Sequence, residues 1–156
     1  MLFRSIETQA AARAFGVRAL RDLTSAQIYR RLDIPELLRR RALHIVEENE
    51  RVWRAVELLE AQDGRGFGQL MNASHESSRR NFENSTPELD LLTSIAQRLS
   101  GVLGARLTGA GFGGATVTLC ERTAADAVAL QLARDYRVQT GTKANVFVCE
   151  IADGAR

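Results

Sequence analysis

The sequence predicts an α+β fold, with helices packed on a small antiparallel sheet. Apolar residues recur at helical steps through the first two-thirds of the chain. Beyond Gly104 the period shortens to two, the signature of half-buried strands. Four glycines within Gly109–Gly114 then fall between two strand-like stretches, where a tight connection is needed.

Residues 4–15 read as a short helix with Ile6, Ala10 and Ala14 on one face and Gly16 as its stop. Val17 to Leu32 connects, with weak helical character. Asp33, ahead of Pro35 and Glu36, has the oxygen to cap a helix that runs to Glu60. Leu38, Ala42, Ile45, Val52, Val56 and Leu59 share its apolar stripe, with Trp53 beside them. After Asp63-Gly64 a second helix is expected over about residues 65–80, turning Phe67, Leu70, Met71, Ser74 and Ser78 inward. Ser85-Thr86-Pro87-Glu88 opens a third, because cap, N-terminal proline and acidic first turn coincide. Leu92, Ile95, Ala96 and Leu99 form its stripe, and Gly101 ends it.

Ala105–Thr108 and Ala115–Cys120 are the first two expected strands, the latter alternating Thr116/Thr118 against Val117/Leu119. Thr123 with Asp126 is expected to cap a further helix carrying Ala124, Val128, Leu132 and Tyr136, broken by Gly141. Asn145–Glu150 reads as a last strand. The order is therefore helices followed by β-β-α-β, in a single domain over residues 1–156, with no repeat, linker or low-complexity tract to divide it.

Composition narrows the function classes. With 156 residues, 45% hydrophobic and 26% charged, the chain is long enough to enclose a core and too apolar for disorder. A net charge of +2, with arginines interleaved among glutamates, argues against nucleic acid; the densest basic run, Arg39-Arg40-Arg41, lies within a helical pattern. No stretch approaches the ~18 apolar residues of a membrane span, and no secretory core opens the chain. Cys120 and Cys149 fall in apolar alternating stretches, where buried free thiols are common, and no zinc-ligand spacing is present. A cytoplasmic protein with reduced thiols is expected.

The glycine-rich loop is the most distinctive local feature. Glycine reaches positive φ and lets other groups approach the backbone, so successive N–H groups can form a concave anion site. A bulged strand connection explains the same glycines, and spacing alone admits both. No Lys-Ser/Thr follows them, and no strand-loop-helix context fits a dinucleotide site, so a self-sufficient nucleotide pocket is not expected. Arg106, just before the loop, could steer phosphate or be a solvated strand charge. Phe112 suggests contact with a surface supplied from elsewhere.

Other candidates have structural explanations. His75 on a small-residue helical face reads as a hydrogen-bonding residue of the fold. Ser74 cannot be activated by its neighbour His75, because adjacent helical residues point about 100° apart. Glu47, Glu48, Glu50, Glu57 and Glu60 read as a solvent-facing stripe paired with arginines rather than a metal site. Glu88 and Asp90 suit the acidic first turn of a helix.

Several segments together carry a family resemblance. Gly104-Ala-Arg-Leu-Thr-Gly-Ala-Gly-Phe-Gly-Gly114 resembles the third conserved motif of the GHMP kinases, in the form typical of galactokinases. Leu37–Val52 is similar to a long helix of those enzymes, and Met71-Asn-Ala-Ser-His-Glu-Ser77 with Thr86-Pro-Glu-Leu-Asp90 resembles their "M-x-x-S-H" and "P-E-L-D" segments. Asn145–Cys149, with Gly154-Ala155, is similar to their C-terminal end. Ala110 departs from a glycine common in galactokinases, and Ala115 from a cysteine.

The resemblance implies the C-terminal domain of such a kinase, a ferredoxin-like sandwich. Galactokinases of this kind use ATP and Mg²⁺ to phosphorylate galactose at its C1 hydroxyl. Their N-terminal domain holds the phosphate loop and the catalytic aspartate and arginine, and none of these segments is found here. The implied site is a phosphate- and substrate-proximal wall: Thr108, Gly109, Ala110, Gly111, Phe112, Gly113 and Gly114, with Arg106 beside it and no residue carried over as a catalytic base. Expected partners are an N-terminal kinase domain or a second copy of the chain, with galactose or a relative bound in the complete enzyme. ATP and Mg²⁺ are not expected to bind tightly to this chain alone. The competing expectation is a non-catalytic binding or oligomerisation module derived from a sugar kinase.

Overall fold

The computed structural model describes residues 2–150 and 152; Gly154 and Ala155 lie outside them. The first part is helical. Helix α1 (Leu2–Phe15) and helix α2 (Ser25–Arg30) pack on the first half of α3 (Glu36–Glu60), with a 3-10 turn at Leu20–Asp22 between α1 and α2. Their shared core is Ala11, Phe15, Leu20, Ile28, Ile34, Ala42 and Val46. The inward face of α1 thus differs from the expected Ile6/Ala10/Ala14 stripe, and Ile6 is exposed. A charged contact sets this rotation: Glu7 turns inward to meet Arg41 of α3 at 2.6 Å.

Two helix entries show what local chemistry decides. At α2, Thr24 accepts from the Gln27 N–H while the Gln27 side chain accepts from the Thr24 N–H, a reciprocal capping box. The expected cap at α3 is not made. Pro35 occupies the cap position, and Asp33 instead accepts two 2.8 Å hydrogen bonds from Arg31. A flexible guanidinium two residues away reaches the carboxylate before the helix does.

The second half of α3 corrects another expectation. Val52, Trp53, Val56 and Leu59 are exposed, Trp53 to 74%, and Leu58 is the buried residue there. The apolar periodicity is real, but no described element of this chain lies over that face.

Helix α4 (Gly64–Ser77) is capped by Asp63, which accepts from the Gly66 N–H at 2.8 Å, and runs into a π-helical turn at Ser78–Phe82. Helix α5 (Pro87–Gln97) starts as expected, with Thr86 accepting from the Leu89 N–H and Glu88 and Asp90 in the first turn. Strand β1 (Val102–Thr108), three residues longer than expected, pairs antiparallel with β2 (Ala115–Cys120); Leu107 stands opposite Thr116 and Ala105 opposite Thr118. Helix α4 lies directly on β1. A Cβ on Gly68 would stand 2.1 Å from the Leu103 carbonyl oxygen, so only glycine permits this approach.

A 3-10 turn at Arg122–Ala124 leads into α6 (Ala125–Thr140). Ala124 is its cap position, so the expected Thr123 cap is not formed, whereas Gly141 ends the helix with φ 72° and an N–H bond to Arg137 O. The stripe Val128, Leu132 and Tyr136 is buried as expected, and α5, α6 and β1 close a second core of Ile95, Ala96, Ala105, Leu132 and Tyr136.

The third strand is the main departure. Residues 145–150 have neither helical turns nor ladder pairing, so the described sheet has two strands and the final order is β-β-α. Neither cysteine is fully buried: Cys120 is half-buried and Cys149 exposed, both as free thiols. No helix among the described residues is long and apolar enough to cross a membrane.

Candidate functional site

The glycine loop joins the two strands at the end of the sheet. Thr108, Gly109, Ala110, Phe112 and Gly114 are exposed, while Gly111 and Gly113 are half-buried. Positive φ occurs at Gly109 (77°) and then at four consecutive residues, Gly111 (78°), Phe112 (58°), Gly113 (111°) and Gly114 (98°). A Cβ at Gly109, Gly113 or Gly114 would meet nothing within 4 Å. These glycines therefore face open space, and their backbone conformation, rather than crowding, requires glycine.

Gly111 is different. An added Cβ there would stand 2.1 Å from the Asn84 carbonyl oxygen. That oxygen accepts the Phe112 N–H at 2.6 Å, and Asn84 Nδ2 donates to Ala110 O at 3.1 Å. The loop is thus pinned at its centre from below. Phe112 is held left-handed, a conformation costing about 1–2 kcal/mol for a non-glycine residue, and its ring is 53% exposed.

Asn84 owes its position to charges invisible in the sequence pattern. It follows Glu83, which is itself left-handed at φ 54° and ends the π-helical turn. Glu83 is gripped by Arg40 and Arg41, each at 2.6 Å, and Arg41 also donates to Asn81 O. Arg41 is 1% exposed. Arg41 is therefore an internal clamp joining α1, α3 and the turn after α4, with the half-buried Arg40 assisting at Glu83 and Arg39 turned back to Ile34 O. Hydrogen bonding from Arg41 draws the Glu83 carboxyl below its ordinary pKa. For Glu7, burial acts to raise the pKa, but the bonds from Arg41 and Arg4 prevail and lower it.

Arg106 does not reach over the loop. Its Nε donates to Leu107 O at 3.1 Å, and a terminal nitrogen lies 3.8 Å from Glu48. Glu48 in turn leaves the expected solvent stripe, accepting from Ser74 at 2.7 Å and Arg51 at 2.6 Å. Burial works against its charge, yet these donors hold its pKa low.

Both histidines act in the scaffold. His75 Nδ1 accepts the Leu107 N–H at 3.3 Å, so its proton sits on Nε2, which faces Thr93 Oγ1 at 2.8 Å and Asp90 at 3.2 Å. Desolvation lowers its pKa against the pull of Asp90. Asp90, expected as a first-turn charge, is thus also a histidine partner. His44 Nδ1 lies 3.0 Å from Ser77 Oγ, the ring stacks on Phe82 at 4.4 Å, and burial lowers its pKa to about 4.

One flank of the loop borders a cleft of about 530 Å³. Phe112, Gly113, Gly114 and Thr116 line one side, residues 142–146 the other, and Leu92, Leu132 and Tyr136 the floor. Lys143, the chain's one lysine, stands at its rim.

A helical layer against a short antiparallel sheet, with a glycine-rich turn carried exposed at the sheet's end, defines the class. Residues 55–138 match the family model described as "GHMP kinases C terminal", and the chain belongs to that family. Within it, the chain corresponds to the C-terminal part of galactokinases. It is 45% identical to galactokinase from Roseiflexus sp. (strain RS-1), covering 97% of this chain and 40% of the relative. It is 41% identical to galactokinase from Glaesserella parasuis serovar 5 (strain SH0165), covering 98% and 41%. The solved structure of Lactococcus lactis galactokinase complexed with galactose superposes with a TM-score of 0.90 at 34% identity, covering 97% of this chain and 40% of that one. The chain thus spans about two-fifths of the length of these relatives.

Proposed function

We propose that this chain is the C-terminal part of an ATP-dependent sugar kinase that converts galactose to galactose 1-phosphate, and that it performs no phosphoryl transfer by itself. The observation that carries this is the open, positive-φ loop Gly109–Gly114, braced from beneath by Asn84 and free on its outer side. Its exposed backbone can approach a ligand held from the opposite side, as one wall of a shared site. Phosphoryl transfer depends on positioning and charge stabilisation, and these need both walls.

Within that site Thr108–Gly114 forms the near wall, and Arg106, turned to Leu107 O and paired with Glu48, supports the strand ahead of the loop rather than steering phosphate. ATP would supply the phosphoryl group, with its contacts shared with the rest of the kinase chain. Mg²⁺ would be held chiefly by the nucleotide phosphates, waters and one or two carboxylates of the complete kinase. The exposed stripe Val52, Trp53, Val56 and Leu59 supplies apolar surface suited to docking against that remainder. A cytoplasmic setting fits the two free thiols.

A chimera provides the test. The matched stretch of the Roseiflexus galactokinase is replaced by this chain, and ATP-dependent phosphorylation is assayed with galactose and related hexoses. Activity on galactose above that of the truncated relative is expected. A folded chimera that phosphorylates no sugar would leave the non-catalytic binding module as the better account.

A further inference from the structure

Side chains, rather than a strand, close the outer edge of β1. The Ala105 N–H donates to Asn72 Oδ1 at 2.8 Å and the Leu107 N–H to His75 Nδ1 at 3.3 Å. Gln97 Nε2 donates to Asn72 Oδ1 at 2.9 Å and reaches Ala105 O at 3.4 Å. The spacing in α4 makes this possible. Gly68, Asn72 and His75, at steps of four and three, share one helical face. Where α4 crosses β1, a Cβ on Gly104 would stand 2.1 Å from Gly68 O, so this pair of glycines lets the helix lie against the strand. Both acceptors thereby come within bonding range.

Of the two acceptors only His75 can change protonation state, and it serves the residue nearer the glycine loop. Leu107 immediately precedes Thr108, where the loop wall begins. Its N–H can only donate, so Nδ1 must be bare. Thr93 fixes the other ring nitrogen. Its single hydroxyl proton is claimed by Leu89 O or Asp90 O, each at 3.0 Å, so Thr93 Oγ1 receives the His75 Nε2–H at 2.8 Å. Asp90 Oδ1 lies 3.2 Å from Nε2 and also accepts the Ser85 hydroxyl at 2.5 Å. Ser85 follows Asn84, which braces the loop at its centre. The segment Asn84-Ser85 therefore bears on the loop's centre directly and on its stem through Asp90 and His75.

Opposing charges surround the ring. Burial disfavours the imidazolium, as does Arg79 in the π-helical turn, whereas Asp90 of α5 and Glu76 of α4 favour it. Arg106 of β1 is turned to Leu107 O and Glu48, and Glu48 of α3 is engaged by Ser74 and Arg51. A proton added to Nδ1 would set two N–H groups face to face. The Leu107 bond exists only with the neutral ring.

We propose that His75 is a positioning residue for phosphoryl transfer: as the neutral Nε2–H tautomer held by Thr93 and Asp90, it fixes the Leu107 N–H and with it the stem from which Thr108–Gly114 project. This role rests on the sugar-kinase reading. His75 acts through Leu107 rather than on a reacting group. One stem bond matters because a misplacement of about 1 Å can lower a rate about a hundredfold. Positioning is complete above pH 6.5 and is lost as pH falls through the lowered pKa of the folded histidine.

Imidazole nitrogen NMR of this chain reads the tautomer directly. A bare Nδ1 and a protonated Nε2 are expected at neutral pH, with the Leu107 amide resonance shifting as His75 titrates. Kinetics are measured in the galactokinase chimera. His75→Leu removes the acceptor and should lower kcat on galactose about tenfold or more, with KM changed less than about twofold. His75→Asn puts a non-titrating oxygen near the place of Nδ1. It should recover most of that loss and move the acid limb of the kcat profile to lower pH. A merely structural histidine would change stability without this rescue or this shift. If circular dichroism shows His75→Leu unfolded, the spectra and the His75→Asn profile decide. A protonated Nδ1, a Leu107 amide indifferent to the titration, or an acid limb unchanged in His75→Asn overturns the proposal. An inactive chimera with the expected spectra removes the kinase reading and this role with it; an active chimera insensitive to His75→Leu overturns the role alone.

Discussion

The carbonyl oxygen of Asn84 accepts the Phe112 N–H at 2.6 Å, so the glycine loop inherits its position from the turn after α4. The same oxygen lies where a Cβ on Gly111 would fall. Gly111→Ala should therefore destabilise the protein more than Gly109→Ala, which meets open space. Both substitutions pay for a left-handed φ, about 1–2 kcal/mol, but Gly111→Ala must also displace the Asn84 bond, adding about 1 kcal/mol or more. Urea denaturation of the two variants measures the difference, and equal losses would contradict the bracing described here.

Arg41 sets up a second contrast. Arg41→Ala removes a buried side chain with its bonds to Glu7, Glu83 and Asn81 O, while Arg4 and Arg40 still pair the two carboxylates, and should destabilise by about 2 kcal/mol. Arg54 further along the same helix, paired with Glu57 at the surface, should lose less than about 1 kcal/mol on the same change. Denaturant midpoints for both variants at neutral pH check the contrast.

Stability should fall on acidification in two stages. An unfolded histidine takes up a proton as pH drops through 6.5, whereas folded His44 resists until about 4, so the unfolded state binds more protons in that window. Stability is then complete above pH 6.5 and declines toward pH 4, with His75 acting in the same direction. The lowered carboxyls of Glu7 and Glu83 add a second loss below their ordinary value of 4.5. His44→Asn should shrink the first stage to the share carried by His75 and leave the second unchanged, read as unfolding free energy against pH.

Trp53 is the chain's one tryptophan and stands 74% exposed on α3, so its fluorescence reports directly on that face. Emission from the isolated chain should be that of a solvated indole, readily quenched by acrylamide. In the galactokinase chimera it should shift to the blue and become protected. Trp53→Lys should change the isolated chain's stability by no more than about 0.5 kcal/mol while lowering the chimera's activity.

Much of the architecture was legible because local rules and tertiary demands agree. The start of α5 follows from Thr86 with Pro87 and the end of α6 from Gly141, whereas α2, with its Thr24–Gln27 capping box, lies in a segment that reads only as a weakly helical connection. The period change near Gly104 correctly separates helices from strands, and the loop glycines stand where their spacing put them. Expectations failed where a distant side chain outbid the local one. Asp33 went to Arg31, α1 rotated to bring Glu7 to Arg41, and Glu48 turned inward to Ser74.

The sequence by itself determined the longer helices, the two paired strands and the loop positions that require glycine, because those properties depend on neighbours a few residues away. Tertiary structure alone decided that Arg41 becomes a buried clamp, that Asn84 sits beneath Phe112, and that the strand-like residues 145–150 have no ladder partner among the described residues. Those outcomes depend on whether a complementary group lies across space, which side-chain periodicity cannot encode. A strand's alternation records that one face will be buried, but its hydrogen bonds exist only if another backbone is there to receive them.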